Sequence, residues 1–288
     1  MRKKCFNIVL LIMCLLLFSV SLQAAEPKPI LFKADNHLKL ITTAPGFQIQ
    51  MFAECVPFAR QMALGEKGTV FVGSREHDKV YALVDTNADY KADKLYVIAE
   101  GLNNPNGVAF KDGSLYVAEI NRVIRFDDIE ENLSQPPKPV VIKDSFPGEK
   151  WHGWKYIRFG PDDKLYIPIG APCNVCDKSK EDERYASIMR MNPDGSNLEI
   201  FARGVRNSVG FDWNPKTNEL WFTDNGRDLM GDDLPPDELN KAPKAGMHFG
   251  FPYCHSKDID DLEFVGSLSC KDFTQAHFDL WLHVESVV

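Results

Sequence analysis

The sequence predicts an all-β protein with the architecture of a β-propeller, in which four-stranded antiparallel sheets surround a central axis. A short pattern recurs along the chain: an alternating apolar strand, a turn rich in Gly, Asp, Pro and Asn, and a strand in which Leu or Val precedes an aromatic residue. Those aromatic residues are Phe71, Tyr116, Tyr166 and Trp221, at spacings of 45, 50 and 55 residues, and such a period indicates propeller blades. Helical periodicity is nearly absent beyond the first 24 residues.

The predicted strands follow this pattern in order along the chain. Each blade contains a hairpin, and the paired strands are residues 61–64 and 70–72, 107–110 and 115–117, 156–159 and 165–167, and 209–212 and 220–222. Further strands of the same blades are predicted at residues 80–83, 123–126 and 187–195. A sandwich of antiparallel sheets without the repeat is the alternative interpretation.

The number of blades is smaller than a closed six-bladed ring requires. Four units extend from about residue 47 to residue 221, with partial material to about residue 273. Residues 278–288 show no turn, no repeat and no closing strand. The sequence therefore predicts an incomplete six-bladed-type propeller with about four to five blades, which lacks the last blades.

The N-terminal segment has the pattern of a secretory signal. Three basic residues at positions 2–4 precede an apolar run from about Ile8 to Val20, and small residues follow at Ala24 and Ala25. We expect a signal peptide at residues 1–24 and one propeller domain at residues 25–288, exported to the periplasm or secreted. No membrane span is expected after cleavage.

The charge of the chain excludes some partners. The formal net charge is −8, and removal of the three N-terminal basic residues leaves 30 basic against 41 acidic residues, or −11. A strongly acidic exported protein is unsuited to nucleic acid or to an anionic membrane surface. A small-molecule ligand is the expected kind of partner.

Cysteines in an exported chain predict disulfides. Cys254 with Cys270 is the first expected pair and Cys173 with Cys176 the second, while Cys55 is left over. The second pair also has the spacing of a thioredoxin-like redox motif or a haem attachment site. The residue that follows is Asp177 rather than histidine, and no βαβ pattern surrounds the motif, so a disulfide that fixes the loop is favoured.

Three motifs carry the candidate chemistry, and each lies at the edge of a predicted blade. They are residues 151–153 ahead of the turn at residues 160–162, residues 204–207, and residues 224–227 leading to residues 237–240. Together with residues 101–105 and 246–252, these motifs resemble the soluble quinoprotein sugar dehydrogenase family, and the sorbosone-dehydrogenase-like branch in particular. The resemblance extends from about residue 47 to residue 273. It implies a six-bladed propeller that binds pyrroloquinoline quinone (PQQ) and calcium.

The resemblance also implies a role for each candidate residue. His152 matches the catalytic general base, which takes a proton from the substrate hydroxyl while hydride passes to the quinone. Arg206 and Asn207 match residues that bind the cofactor. Gly226 and Arg227 match a loop whose main-chain carbonyls hold the calcium ion. The alternatives are that His152 is a structural histidine between two tryptophans and that the other residues form a solvated edge.

The chain departs from the family pattern at several positions. Ala171 stands where the family has an acid near the cofactor, Pro105 where it has a glutamine, and Phe251 where it has a tryptophan. The implied function is oxidation of an aldose or a sorbosone-like sugar by hydride transfer to PQQ, with an electron acceptor that the sequence does not identify. An extracellular binding module without catalysis and a calcium-dependent lactone hydrolase are the alternatives.

Overall fold

The computed structural model describes residues 38–264, 266 and 268–280. The described chain consists mainly of strands and loops, with short 3₁₀ turns at Ile129–Glu131 and Cys270–Asp272. The all-β prediction is confirmed. The predicted signal peptide at residues 1–24 lies outside the described residues.

The strands form a four-bladed propeller arrangement. Blades 1 and 2 contain β1 (Ala59–Leu64), β2 (Val70–Ser74), β3 (Val80–Val84) and β4 (Lys94–Ala99), then β5 (Gly107–Lys111), β6 (Ser114–Ala118), β7 (Val123–Phe126) and β8 (Val140–Lys143). Blade 3 contains β9 (Arg158–Phe159), β10 (Leu165–Ile169), β11 (Ser187–Met191) and β12 (Glu199–Arg203), and blade 4 begins with β13 (Phe211–Trp213), β14 (Leu220–Asp224) and β15 (Asp237–Ala242). Within each blade, consecutive strands pair antiparallel.

The core lies between neighbouring blades, and β6 shows why the predicted strands are so apolar. Leu115 and Val117 pack against blade 1, whereas Tyr116 and Ala118 pack against blade 3. Successive side chains of a strand point to opposite faces of its sheet, so a blade with neighbours on both sides needs apolar residues at every position. Strand β10 repeats the arrangement, because Ile167 faces blade 2 and Tyr166 faces blade 4.

The C-terminal segments complete the outer parts of blades 3 and 4. Strand β16 (Met247–His248) pairs parallel with β12, and β17 (Cys254–His255) forms a hairpin with β18 (Ile259–Asp260). Strand β19 (Phe278–Leu280) then pairs antiparallel with β15 and becomes the fourth strand of blade 4. The expectation that the tail from residue 278 supplies no closing strand is therefore wrong for residues 278–280. Three residues are too few to show a repeat or an alternation in the sequence.

Both predicted disulfides are present. The Cα atoms of Cys173 and Cys176 are 6.2 Å apart, and those of Cys254 and Cys270 are 5.0 Å apart. Cys55 is exposed and is joined to no cysteine of the described residues. In the same part of the chain, no helix has the length and apolar character that crossing a membrane requires.

Candidate functional site

The candidate residues lie in loops at one end of the propeller. In an up-and-down sheet every second connection emerges at the same end, so the loops that follow β8, β10, β12 and β14 lie together. The β8–β9 loop carries His152 and the β12–β13 loop carries Arg206 and Asn207. The β14–β15 loop carries Gly226 and Arg227. Candidate residues that are distant in sequence therefore lie together at one end of the propeller.

His152 is buried, with 8% of its surface exposed, and both of its ring nitrogens are engaged. The main-chain carbonyl of Ala171 is 2.8 Å from Nδ1, and because a carbonyl can only accept, Nδ1 carries the hydrogen. Nε2 accepts a hydrogen bond of 2.9 Å from the indole N–H of Trp151. The imidazole is therefore neutral, with its lone pair on Nε2 under an indole that is more than half exposed.

The surroundings of His152 hold it in the neutral form. Burial, and next the positive charge of Arg206, lower the pKa of His152 to about 4. A buried imidazole loses hydration when it becomes charged, and a nearby cation opposes a second positive charge. At neutral pH the side chain can accept a proton but has none to donate from Nε2.

Arg206 is almost fully buried and is held by main-chain and side-chain oxygens. Its Nε donates to the carbonyl of Asn174 at 2.8 Å, and its Nη2 donates to the side-chain Oδ1 of the same residue at 2.9 Å. Nη1 donates to the carbonyl of Asn225 at 3.1 Å, and the carboxylate of Asp228 is 3.5 Å from Nη2. One N–H of Nη1 is left for a further acceptor.

Asp224, the last residue of β14, holds the backbone of the β12–β13 loop. Its two carboxylate oxygens accept the main-chain N–H groups of Arg206 at 2.8 Å and Asn207 at 2.6 Å. Burial, and next the neighbouring carboxyl of Glu238 on β15, raise the pKa of Asp224 well above its usual value. Burial likewise raises the pKa of Glu238 to about 7.

His152 and Arg206 are connected through one residue. The carbonyl of Ala171 accepts the imidazole hydrogen of His152, while the N–H of Ala171 donates to the carbonyl of Arg206 at 2.8 Å. The structure therefore brings the predicted base and the predicted cofactor-binding arginine together. Ala171, which replaces an acid of the resembled family, contributes its backbone rather than a side chain.

The other candidate residues lie at the same end of the propeller; they are Asn207, Gly226 and Arg227. They differ in which of their groups already have a hydrogen-bond partner. The main-chain N–H of Asn207 donates to Asp224, and its side-chain amide makes no hydrogen bond to another described residue. The N–H of Gly226 donates to Asp237 at 2.8 Å. The guanidinium of Arg227 turns to Asp261 and Glu263, at 2.7 and 2.9 Å.

A calcium ion at the β14–β15 loop would have to be held by main-chain oxygens. Within residues 38–264, 266 and 268–280, no group of three or more His, Cys, Asp or Glu side chains is arranged to hold a metal ion. The carbonyls of Gly226 and Arg227 are the ligands that the sequence predicted, and they are of the hard-oxygen type that calcium prefers.

Two cavities lie near the candidate residues: the larger borders the loop that carries His152, and the smaller borders Ala171. A cavity of about 660 Å³ is lined by Lys150 and Trp154 of this loop and by Arg75, whose guanidinium lies 3.6 Å from the centre of the Trp154 ring. A second, of about 240 Å³, is lined by Ala171 and by loops of blades 3 and 4. The larger cavity has the size of a small-molecule site.

Sequence reasoning missed two residues that hold the site. Asn174 is one, and its position inside the Cys173–Cys176 loop was the available signal. Lys155 is the other: it is fully buried, its Nζ donates to the carbonyl of Gly153 at 3.1 Å, and burial lowers its pKa to about 7. A lysine three residues after the candidate base gives no pattern that predicts such burial.

This propeller with a buried histidine at its loop end belongs to a family known by sequence. Residues 33–250 match the profile described as Domain of unknown function (DUF7133), so the chain belongs to that family. A relative described as an uncharacterized protein of Borreliella burgdorferi is 31% identical over 242 residues. The match covers 80% of this chain, and this chain spans 61% of the length of that relative.

Solved structures share the fold. A carbohydrate-active enzyme of family AA12 from Trichoderma reesei superposes with a TM-score of 0.72 at 16% identity, over 83% of this chain and 71% of that one. The PQQ-bound form of aldose sugar dehydrogenase from Streptomyces coelicolor has a TM-score of 0.57 at 22% identity, over 73% of this chain and 66% of that one. At these identities the similarity establishes the propeller fold.

Proposed function

We propose that this protein is an oxidoreductase of the PQQ-dependent sugar dehydrogenase type, which oxidises an aldose or a sorbosone-like sugar with His152 as the general base. The observation that carries the proposal is the state of that histidine. It is neutral, fixed through Nδ1 by the Ala171 carbonyl, and joined through Ala171 to the buried cation Arg206. Its fold neighbours include an aldose sugar dehydrogenase solved with PQQ bound.

His152 would act through Nε2. This nitrogen takes the proton of the sugar hydroxyl at the carbon that loses hydride, and the hydroxyl oxygen becomes the carbonyl oxygen of the product. PQQ, when bound, supplies the two-electron acceptor for the hydride. The indole of Trp151 occupies Nε2 in the structure, so the substrate hydroxyl has to replace this exposed ring.

The residues around His152 fit a planar, polyanionic quinone. Arg206 keeps one N–H for a cofactor oxygen, and its charge favours the electron density that the quinone gains on reduction. Asn207 offers an unengaged side-chain amide. The side-chain Oδ1 of Asn225, which is buried with no hydrogen-bond partner among the described residues, is a further acceptor beside them.

The substrate would approach from the larger cavity. Trp154 and Lys150 connect that cavity to the His152 loop, and its volume of about 660 Å³ accommodates a sugar ring. This chain spans 61% of the length of the Borreliella burgdorferi relative. The activity is therefore proposed for the whole protein. Export to the periplasm or to the medium, proposed from the N-terminal pattern, would place the enzyme with extracellular sugars.

Reconstitution with PQQ and calcium tests the proposal. We expect the quinone absorbance to change when an aldose is added, and we expect His152→Ala to slow this change by about 10² to 10⁴-fold while PQQ still binds. Arg206→Ala should weaken both binding and turnover, since it removes a charge partner of the quinone. The matched control is His277→Ala, an exposed histidine, which should behave as the parent.

Other outcomes would replace the proposal. Binding of PQQ without turnover on any aldose would assign a binding module. Hydrolysis of lactones with calcium and without quinone would assign a lactone hydrolase. Parental activity in His152→Ala would make the histidine structural.

A further inference from the structure

Asn174 lies in the four-residue loop that the Cys173–Cys176 disulfide closes, and it contacts the candidate site with three different atoms. Its carbonyl accepts from Arg206 Nε at 2.8 Å, and its Oδ1 accepts from Arg206 Nη2 at 2.9 Å. The same Oδ1 accepts the main-chain N–H of Asp228 at 2.8 Å, and Nδ2 donates to the carbonyl of Asp228 at 3.0 Å.

These contacts join three loops. Asn174 belongs to the β10–β11 loop, Arg206 to the β12–β13 loop and Asp228 to the β14–β15 loop. Two parallel N–H donors of one guanidinium bonded to two oxygens of one residue fix both the position and the plane of that guanidinium. The disulfide fixes the acceptor in turn, because its Cα atoms are held 6.2 Å apart with Asn174 between them.

We propose that Asn174 is a positioning residue: held by the Cys173–Cys176 disulfide, it fixes the Arg206 guanidinium and the main chain at Asp228, so that the cation faces the cofactor beside His152. This inference rests on the proposed function for the identity of the cofactor. The placement of Arg206 relative to His152 can be measured without any cofactor. The disulfide thereby acts on the site through one side chain.

The substitution Asn174→Ala removes three of the four hydrogen bonds and keeps the one made by the main-chain carbonyl. Ser179→Ala is the matched control, because Ser179 lies in the same loop and its hydroxyl bonds to Asp177 rather than to the site. The double variant Cys173→Ser/Cys176→Ser frees the loop itself. The double variant should change the pKa of His152 by as much as Asn174→Ala does, or by more.

The first measurement is the titration of His152 by NMR in the full-length protein without PQQ, with the signal assigned through His152→Gln. Arg206 is one of the groups that keep the pKa of His152 near 4, together with burial, and Asp228 opposes it. In Asn174→Ala and in the double cysteine variant we expect the pKa of His152 to rise, because the guanidinium is no longer held beside it. Ser179→Ala should leave the pKa unchanged.

The second measurement is the dissociation constant of PQQ in the presence of calcium, which we expect to increase about tenfold or more in Asn174→Ala. An unchanged His152 titration in Asn174→Ala, with any loss confined to the melting temperature, would overturn the inference. A rise in the pKa of His152 in the double cysteine variant but not in Asn174→Ala would also overturn the inference, because loop closure and not Asn174 would then hold the arginine. Absence of PQQ binding by the parent protein would refute the proposed function, while the titration would still report on Asn174.

Discussion

At the scale of the residue, the chemistry of the site depends on the groups that surround each side chain more than on the residue type. His152 is a neutral imidazole because burial, and next the positive charge of Arg206, disfavour its charged form, while the Ala171 carbonyl fixes the hydrogen on Nδ1. The sequence motif predicted the histidine but could not predict these contacts. Ala171 lies 19 residues away, and an alanine gives no sign that its carbonyl will be used.

Stability between about pH 4 and pH 6.5 should depend on His152. The pKa of His152 is about 4 in the folded protein and 6.5 without the fold, so the unfolded chain binds more protons in this window. The contribution of neutral His152 to stability is therefore complete above pH 6.5 and is lost as pH falls toward 4. Denaturation in urea at several pH values measures it.

The comparison is made with His152→Gln, which does not titrate. We expect the free energy of unfolding of the parent to fall more steeply than that of His152→Gln between pH 6.5 and pH 4. Glu238 titrates with the opposite sign, but it is present in both proteins and cancels in the difference. Parallel curves for the two proteins would show that His152 is not held in the neutral form.

At the scale of the element, the site depends on how closely strand ends approach the loops. Gly170 follows β10 directly, and a Cβ atom there would lie 2.5 Å from the Cβ of His152 and 2.7 Å from its carbonyl oxygen. Real side chains do not tolerate such distances, so one of the two backbones would have to move. The absence of a side chain at Gly170 permits the hydrogen bond between His152 and Ala171.

We predict that Gly170→Ala destabilises the protein by about 1–3 kcal/mol, the range for an overpacked site. Gly148→Ala is the control, because a Cβ at that position meets nothing within 4 Å, and a change near zero or a gain of up to about 1 kcal/mol is expected. Urea denaturation of both variants gives the two values. Equal stabilities would contradict the close approach at Gly170.

The repeat predicted most of the strands, because a blade packed on both faces requires the same apolar and aromatic residues each time. Strands β2, β6, β10 and β14 all lie where the repeat placed them. Strands β16 and β19 could not be predicted, since they have two and three residues and pair with strands that are distant in sequence. The contact of Arg206 with Asn174, 32 residues earlier, was likewise invisible, because it depends on how adjacent blades are placed.

At the scale of the whole molecule, the blades bring three motifs to one end of the propeller. His152, Ala171 and Arg206 form a continuous chain of hydrogen bonds across the loops of blades 2, 3 and 4. We propose that a quinone binds at this chain of contacts. Its location is fixed by the order of the blades and not by any single loop.

A crystal structure of the full-length protein with PQQ and calcium tests this claim most directly. We predict quinone density between the Nε2 of His152 and the guanidinium of Arg206, with the Trp151 indole moved away from Nε2. Quinone bound elsewhere, or crystals grown with PQQ and calcium that contain no quinone, would contradict this prediction.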